Sequence, residues 1–535
     1  MTRTLSVLSC LWLWCLWTAV PAVAQPPETP TPLTLSDATA RALAKNRDIV
    51  IERESSNVAD ASVERARAAY DPVLRGDARY RDSKVPTTSI FSGAPEGELA
   101  PHLRGVTSSA SLTQLLSSGG TLTFSTSTGW ESTNNFLTLI SPSWTTLLGA
   151  EFRQPLLQNR AIDPARRAIR VAQVGRERSS IALRRTLLET VNAVEQAYWT
   201  LVAAQREVEI RQQSVALAEQ QRADTSARIE AKTVPESDIA QPTAEIGRRR
   251  GDLAVSEEAR LRAERALKVL MLENADDPLW QTEVLAVDAP DVAAMTTPTS
   301  TDVAAALKDA EQLRPELADV AARVRLQDVE IEAARDRLKP QVDLVAGYTT
   351  RGLAGDKSDS SFPIAGIPVV FQDELSGGLP TSIENLARHR FPDASVGVQV
   401  TIPFGNRAAH ADVATAESTR RQVLLMRDKE RQRIAVEVRN AATAVQSAAR
   451  RVESARVGRE AAEIQWQAEQ DRLAAGITTM FLVLTRQNDL SAARVTETTA
   501  LTAYRRALAE LARARGTLLR DRSITVDEST ATQKD

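Results

Sequence analysis

Cysteine is almost missing from this 535-residue chain: the only two, Cys10 and Cys15, fall within the first 24 residues. Neither a disulfide framework nor thiol chemistry is therefore available to the rest of it. Histidine is as scarce, with three copies at His102, His389 and His410, too far apart to form a cluster with metal-ligand spacing. No glycine-rich loop leads from a strand pattern into a helix pattern, as phosphate binding requires. Ser118-Gly119-Gly120 instead joins two strand patterns and reads as a hairpin turn. Aromatic residues make up only 4%, while Ala, Arg and Glu are abundant, a mixture suited to long helices rather than several compact cores. A net charge of −3 gives no reason to expect a nucleic-acid partner. An enzyme is not expected, and neither is a cofactor. After the first 24 residues no stretch approaches the roughly 18 apolar residues of a helical membrane span.

The leader itself reads as an export signal. Arg3 supplies the positive start, Leu11 to Val20 the apolar run, and Ala22-Val23-Ala24 the small-residue cleavage site before Gln25. An exported chain without a helical span is periplasmic, secreted, or a membrane β-barrel.

The strongest internal signal is a repeat. Leu33 to Tyr80 aligns without a gap on Thr301 to Tyr348, pairing Ala38 with Ala306, Ala42 with Ala310, Glu64 with Glu332, Arg67 with Arg335, Pro72 with Pro340 and Tyr80 with Tyr348. Each copy runs the same way: a helix pattern (opened in the first copy by Ser36-Asp37 as N-cap), a proline that stops it, then alternation ending in tyrosine. In the first copy Leu74, Gly76, Ala78 and Tyr80 oppose Arg75, Asp77, Arg79 and Arg81; in the second, Val342, Leu344, Ala346 and Tyr348 oppose Gln341, Asp343 and Thr349. Return strands alternate as cleanly, one around Trp144 to Arg153 with Glu151 and Arg153 on its polar side, the other from Ser395 to Ile402. Runs of about 9 to 11 residues suit tilted strands that cross a bilayer. A soluble half-buried sheet would alternate in the same way; the export signal and the long polar loop from Arg351 to Asp393 favour a barrel. Ser109 to Leu116 and Thr121 to Trp130 also alternate, only in the first copy, and read either as two more wall strands or as a hairpin projecting past the rim.

After Pro155 and Pro403 come long heptads. Leu187, Val191, Val194, Tyr198, Leu201, Gln205, Val208, Gln212 and Val215 step by four and three, and so do Ile434, Val438, Ala441, Val445, Ala448, Val452, Ala455, Arg459 and Ala462. Further on Arg228 aligns with Arg472, so the second copy has lost three residues in between. Each heptad region is interrupted once, at Ala231 to Pro235 and at Ala475 to Thr479, by turn chemistry. Helices of roughly 60 residues reach on the order of 90 Å. The expected class is mainly α with membrane β. The chain divides into a signal segment (1–24) and a first repeat (25–273, strands about 73–155, coiled-coil helices about 156–273). A linker (274–300, with Pro278, Pro290 and Pro298) leads to a second repeat (301–520, strands about 341–403, helices about 404–520) and a patternless polar tail (521–535).

Taken together the chain resembles the TolC-like outer-membrane efflux proteins over nearly its whole mature length. The opening helix from Leu33 to Asp48 and Leu313-Arg314-Pro315-Glu316-Leu317 carry the resemblance at the start of each copy. Phe152 to Leu157 and Val400 to Gly405 carry it at the strand-to-helix junctions, and Arg472 to Ile477, followed by Val483, Leu484 and Gln487, at the helical tip. The resemblance implies a homotrimer whose strands jointly close a barrel in outer-membrane lipid and whose helices form a periplasmic tunnel. With about four strands per chain, three copies supply about twelve. It also implies a passive conduit for efflux or type I secretion, meeting a periplasmic adaptor and an inner-membrane pump. The adaptor would dock around Arg228, Lys232, Arg472, Gly476, Val483, Leu484 and Gln487. Arg75, Arg79, Glu151, Arg153 and Asp343 would face the barrel lumen. Acidic positions that ring the closed end in relatives fall here on Leu482 and Thr485, while Asp238 keeps its acid with Glu236 nearby. A locking Tyr falls on Leu473, its Arg partner on Thr478, and Lys232 replaces a turn Gly. A gate held by apolar constriction, helped by Asp238, is the expectation. The competing class is a structural coiled-coil envelope protein or adhesin without a conduit. The sequence does not distinguish drugs, metal ions and secreted polypeptides as cargo.

Overall fold

The computed structural model describes residues 30–86, 93–95, 97–289, 302–358 and 372–525, so the export-signal reading and the end of the tail lie outside the described residues. In chain order the elements are β1 (Thr31–Leu33), α1 (Leu35–Lys45), α2 (Arg47–Arg67), β2 (Val73–Lys84), β3 (His102–Leu115), β4 (Thr121–Thr133), β5 (Ile140–Pro155), α3 (Pro164–Glu230), α4 (Ala240–Met271), β6 (Val284–Ala286), α5 (Val303–Leu313), α6 (Pro315–Asp336), β7 (Gln341–Lys357), α7 (Leu379–Ala387), β8 (Phe391–Thr401), α8 (Arg407–Ala474), α9 (Met480–Arg515) and α10 (Leu518–Asp521). Among the described residues no helix is long and apolar enough to cross a membrane. The chain separates into two compact units, one gathering described residues of 1–46, 193–294 and 452–505, the other those of 47–192, 295–451 and 506–535.

The first unit is almost entirely helical. Its core joins Val194, Tyr198, Leu201 and Val202 of α3 to Leu267 and Met271 of α4 and to Leu33, Ala38 and Ala42 at the start of the chain. The heptad is what buries these α3 residues: positions three and four apart return to one stripe. Tyr198 is wholly enclosed, and its hydroxyl donates to the Asp288 carboxylate at 2.7 Å and accepts from the Asp288 N–H at 3.2 Å. The segment before α1 is strand β1, paired in parallel with β6 from Thr31↔Val284 to Leu33↔Ala286. The first helix differs from expectation at both ends. Thr34, not Ser36 or Asp37, caps it, accepting from the Asp37 N–H at 3.1 Å. It then breaks at Asn46, whose side chain donates to the Leu270 carbonyl at the end of α4.

The second unit holds six strands in one antiparallel sheet, ordered β2-β3-β4-β5-β7-β8. Sequence spacing suggested about four. The undecided β3–β4 hairpin is part of the sheet, paired from Leu103↔Thr133 to Leu115↔Thr121 and flanked by β2 and β5. The two repeats meet between β5 and β7, in register from Ser143↔Gly355 to Pro155↔Asp343. Arg314, which the repeat aligns with Asn46, breaks α5 from α6, and Pro315 opens α6, where its missing N–H costs nothing.

The polar stretch from Arg351 to Asp393 is not one loop. Arg351 to Lys357 extends β7, residues 359–371 lie outside the described residues, and Leu379–Ala387 is α7. This short helix lies on the sheet face shared by Thr146, Thr350, Gly352 and Ala354, all buried. Gly352 allows the approach, since a Cβ there would sit 1.9 Å from the Ser382 carbonyl oxygen. The Thr146 hydroxyl lies 3.0 Å from that of Ser382, and Asn385 donates to the Leu353 and Glu374 carbonyls at 3.0 Å each.

Candidate functional site

Register places the alternating residues of all six strands on two faces. One carries Leu74, Tyr80, Val106, Leu112, Phe124, Trp130, Trp144, Leu148, Phe152, Tyr348, Val396 and Val398. Trp130 and Trp144 stand opposite each other, ring centroids 6.5 Å apart. The other carries Arg75, Asp77, Arg79, Arg81, Ser109, Ser111, Ser125, Ser127, Glu131, Glu151, Arg153, Asp343 and Gln399. The five residues expected to line a lumen thus share one face, but not one state. Arg75, Arg79, Glu151 and Arg153 are solvent-accessible, whereas Asp343 is 2% exposed and lies 3.6 Å from Arg153. Arg153 also donates to Gln399 at 2.7 Å. Asp343 is therefore a packed partner of Arg153 rather than a free lumen charge.

The helical tips come in two copies, α3 to α4 and α8 to α9. Both helices close on the same six-residue turn. In the first, the Lys232 N–H donates to Ile229 O and the Thr233 N–H to Arg228 O, at 2.9 Å each; in the second, Gly476 donates to Leu473 O and Ile477 to Arg472 O, at 3.0 Å each. Such a turn needs a left-handed residue, and Lys232 (φ 54°) and Gly476 (φ 76°) occupy it. A side chain is strained in that conformation by about 1 kcal/mol. Lys232→Gly is therefore expected to steady the first tip and Gly476→Ala to loosen the second, read as opposite changes in amide-exchange protection across the two turns. Changes of the same sign would contradict this account of the turns.

Of the residues expected to dock a partner, Arg228, Lys232, Arg472 and Gly476 are exposed on the turns. Val483, Leu484 and Gln487 are buried, and belong to the packing that supports the tip. Among the gate candidates Glu236, Asp238 and Leu482 are exposed and Thr485 is half-buried, its hydroxyl donating to the Phe481 carbonyl at 2.8 Å. Ile477 and Phe481 add to the apolar surface beside Leu482.

Behind this tip sits a charged clamp that spacing alone did not reveal. Arg249 of α4, 3% exposed, donates to Glu245 at 2.7 Å, to the Ser214 carbonyl of α3 at 2.7 Å and to Gln487 of α9 at 3.3 Å. Glu245 also accepts from Arg248 at 2.6 Å and from Asn488 at 3.0 Å. Burial pushes the Glu245 carboxyl up, but the bonds from Arg248, Arg249 and Asn488 outweigh it and hold the group down to about 2. In sequence this is an arginine run, Arg248 to Arg250, that reads as a solvated helix face. Arg248 and Arg250 are indeed exposed; Arg249 points inward.

Comparison with known proteins follows the same division. The family model described as outer membrane efflux protein matches residues 306–517, which is the second repeat. No curated protein sequence matches the chain. Three solved structures are similar over most of their length. A membrane protein from Pseudomonas aeruginosa is 17% identical (90% of this chain, 93% of that one, TM-score 0.59). The CmeC outer membrane channel of Campylobacter jejuni is 13% identical (99% of each chain, TM-score 0.62). The outer membrane protein VceC of Vibrio cholerae is 14% identical (90% of this chain, 96% of that one, TM-score 0.60). The second repeat thus matches the outer membrane efflux protein model, and both repeats together carry the fold of the solved outer-membrane channels.

Proposed function

We propose that this protein is the outer-membrane channel of a tripartite export system. Three copies close a barrel in the outer membrane and extend helices into the periplasm, where the tips receive an adaptor that reaches an inner-membrane pump. The observation that carries the reading is a sheet with one mainly polar face and one that gathers its large apolar side chains, partly covered by α7 at Thr146 and Thr350, in a chain that also builds duplicated helical hairpins. A barrel must present apolar side chains to lipid and polar ones to its lumen. The match of the second repeat to the outer membrane efflux protein model supports the same reading. The exposed turns at Arg228, Lys232, Arg472 and Gly476 are the docking surface. Leu482, with Ile477 and Phe481 beside it, is the constriction, and the exposed Asp238 on the first tip is the acid that would help it.

Single-channel conductance of the purified protein in a planar bilayer, with its mass in detergent, tests this. A trimer with small, gated conductance is expected. A silent monomer or dimer would return the protein to the structural coiled-coil class. For the gate, Leu482→Ala is expected to raise the open fraction about fivefold to tenfold, the loss of about 1 kcal/mol of apolar contact. An open fraction indifferent to Leu482→Ala, with conductance that collapses once acids replace Leu482 and Thr485, would refute the apolar gate.

A further inference from the structure

We infer that every copy contributes six strands to the barrel wall, so that three copies enclose it with eighteen. The inference rests on the channel reading above and departs from the twelve that spacing suggested. The hairpin β3–β4 decides it. Each of its strands is hydrogen-bonded on both sides over most of its length, to β2 or β5 as well as to its partner. Its side chains also keep the alternation of both faces, with the small Ser108, Ala110, Thr126 and Thr128 between the large apolar ones. Val106, Leu112, Phe124 and Trp130 extend the apolar face between Leu74 and Phe152, while Ser109, Ser111, Ser125 and Ser127 extend the polar face between Asp77 and Glu151. A hairpin standing clear of the membrane in water has no need of an apolar face at the height where its neighbours have theirs.

The two ends of the sheet say what completes it. All of β8 is exposed, and so is nearly all of β2. Val396 of β8 is 81% exposed and Leu74 of β2 74%. In lipid such edges are not tolerated, because unpaired N–H and C=O groups have no water to bond. The occupant is a second copy of this chain. β2 leaves the helical side and β8 returns to it, so β8 of one copy meets β2 of the next in antiparallel fashion, with lengths of 12 and 11 residues that match. Barrel diameter grows with strand number; at about 4.8 Å between strands and a tilt of about 40°, eighteen strands span about 36 Å between backbones against about 24 Å for twelve. Walls of 16–18 strands leave a water-filled bore. With its Ser, Thr and charged lining, this one would pass bulky hydrophilic solutes, and the barrel would not be the narrowest point.

Nitroxide labels on Phe124→Cys and Ser125→Cys in the full-length trimer test the wall directly, since no other cysteine lies beyond residue 15. The expected result is lipid-phase oxygen accessibility at 124 and water-phase accessibility at 125. Graded polyethylene glycols added to the open channel should enter up to sizes that a twelve-stranded bore excludes. Cysteine pairs scanned between β2 and β8 should give covalent trimers. A conducting trimer whose labels at 124 and 125 are both in water, or whose bore excludes polymers as twelve strands would, overturns the inference while leaving the channel intact. A protein that neither conducts nor forms trimers overturns the channel reading itself.

Discussion

Replacing Arg314 with Leu is expected to destabilise the second unit by about 3–5 kcal/mol, the cost of leaving buried carboxylates without their cation. The Arg314 side chain is fully enclosed and every donor is engaged. It bonds Glu316 at 2.9 Å twice, Glu437 at 3.2 and 3.1 Å, and the carbonyls of Arg513 and Ala514 at 3.3 and 3.4 Å. One side chain thus ties the α5–α6 break to α8 and to the end of α9. Burial raises the Glu437 carboxyl, but Arg314 and Arg513 outweigh it and the net shift is downward. Arg433 is the control. It also pairs with Glu437, at 3.4 Å, yet its side chain is 53% exposed, so Arg433→Ala should cost about 1 kcal/mol or less. Arg314→Lys should fall between, since a point charge cannot replace a planar fork. Thermal unfolding in detergent gives the ranking; equal shifts for Arg314→Leu and Arg433→Ala would mean that enclosure adds nothing.

The second large effect is acid sensitivity behind the helical tip. Glu245 titrates at about 2 in the folded protein against an ordinary value of 4.5. A depressed carboxyl contributes stability that is complete above pH 4.5 and is lost as pH falls toward 2. Each tenfold drop in proton affinity is worth about 1.4 kcal/mol, so the contribution is about 3 kcal/mol. Amide exchange in α4 and at the start of α9 should therefore quicken across that window. Glu245→Gln should be looser than wild type at neutral pH, and the gap between them should close by pH 2. A gap that stays constant with pH would show that the clamp holds by packing and not by charge.

Much of this architecture was legible because it rests on period. The duplicated helix, proline and alternation gave the repeats, and the heptads gave the stripes now buried at Leu187, Val191, Tyr198 and Leu201 and at Ile434, Val438 and Ala441. The seam from Ala455 onward reads as heptad yet is only half-buried, at Ala455, Arg459 and Ala462. Helix breaks were less visible. Asn46 sits in an unbroken helical pattern and breaks for a tertiary reason, whereas at Arg314 the following Pro315 already disfavours helix; each nonetheless donates to a carbonyl at the end of a returning helix, Leu270 in one copy and Ala514 in the other. The α7 helix was hidden for a different reason. Its cues, Gly377-Gly378-Leu379-Pro380 and a nine-residue amphipathic run, are short and lie within a polar stretch. At the tip, motif position identified Val483, Leu484 and Gln487 but not the direction of their side chains, which only packing fixes.

The extra hairpin has a bearing on how such a wall changes over evolutionary time. It sits between two strands whose counterparts exist in the other repeat, and its turn at Leu116 to Gly120 lies at the end of the sheet from which β2 sets out. Gaining two strands returns the chain to the side it left, so everything downstream still points the right way. Gaining one would deliver the following helix to the opposite end of the sheet. Width is therefore heritable only in even steps per copy, and can vary without any change to the helices that set the reach.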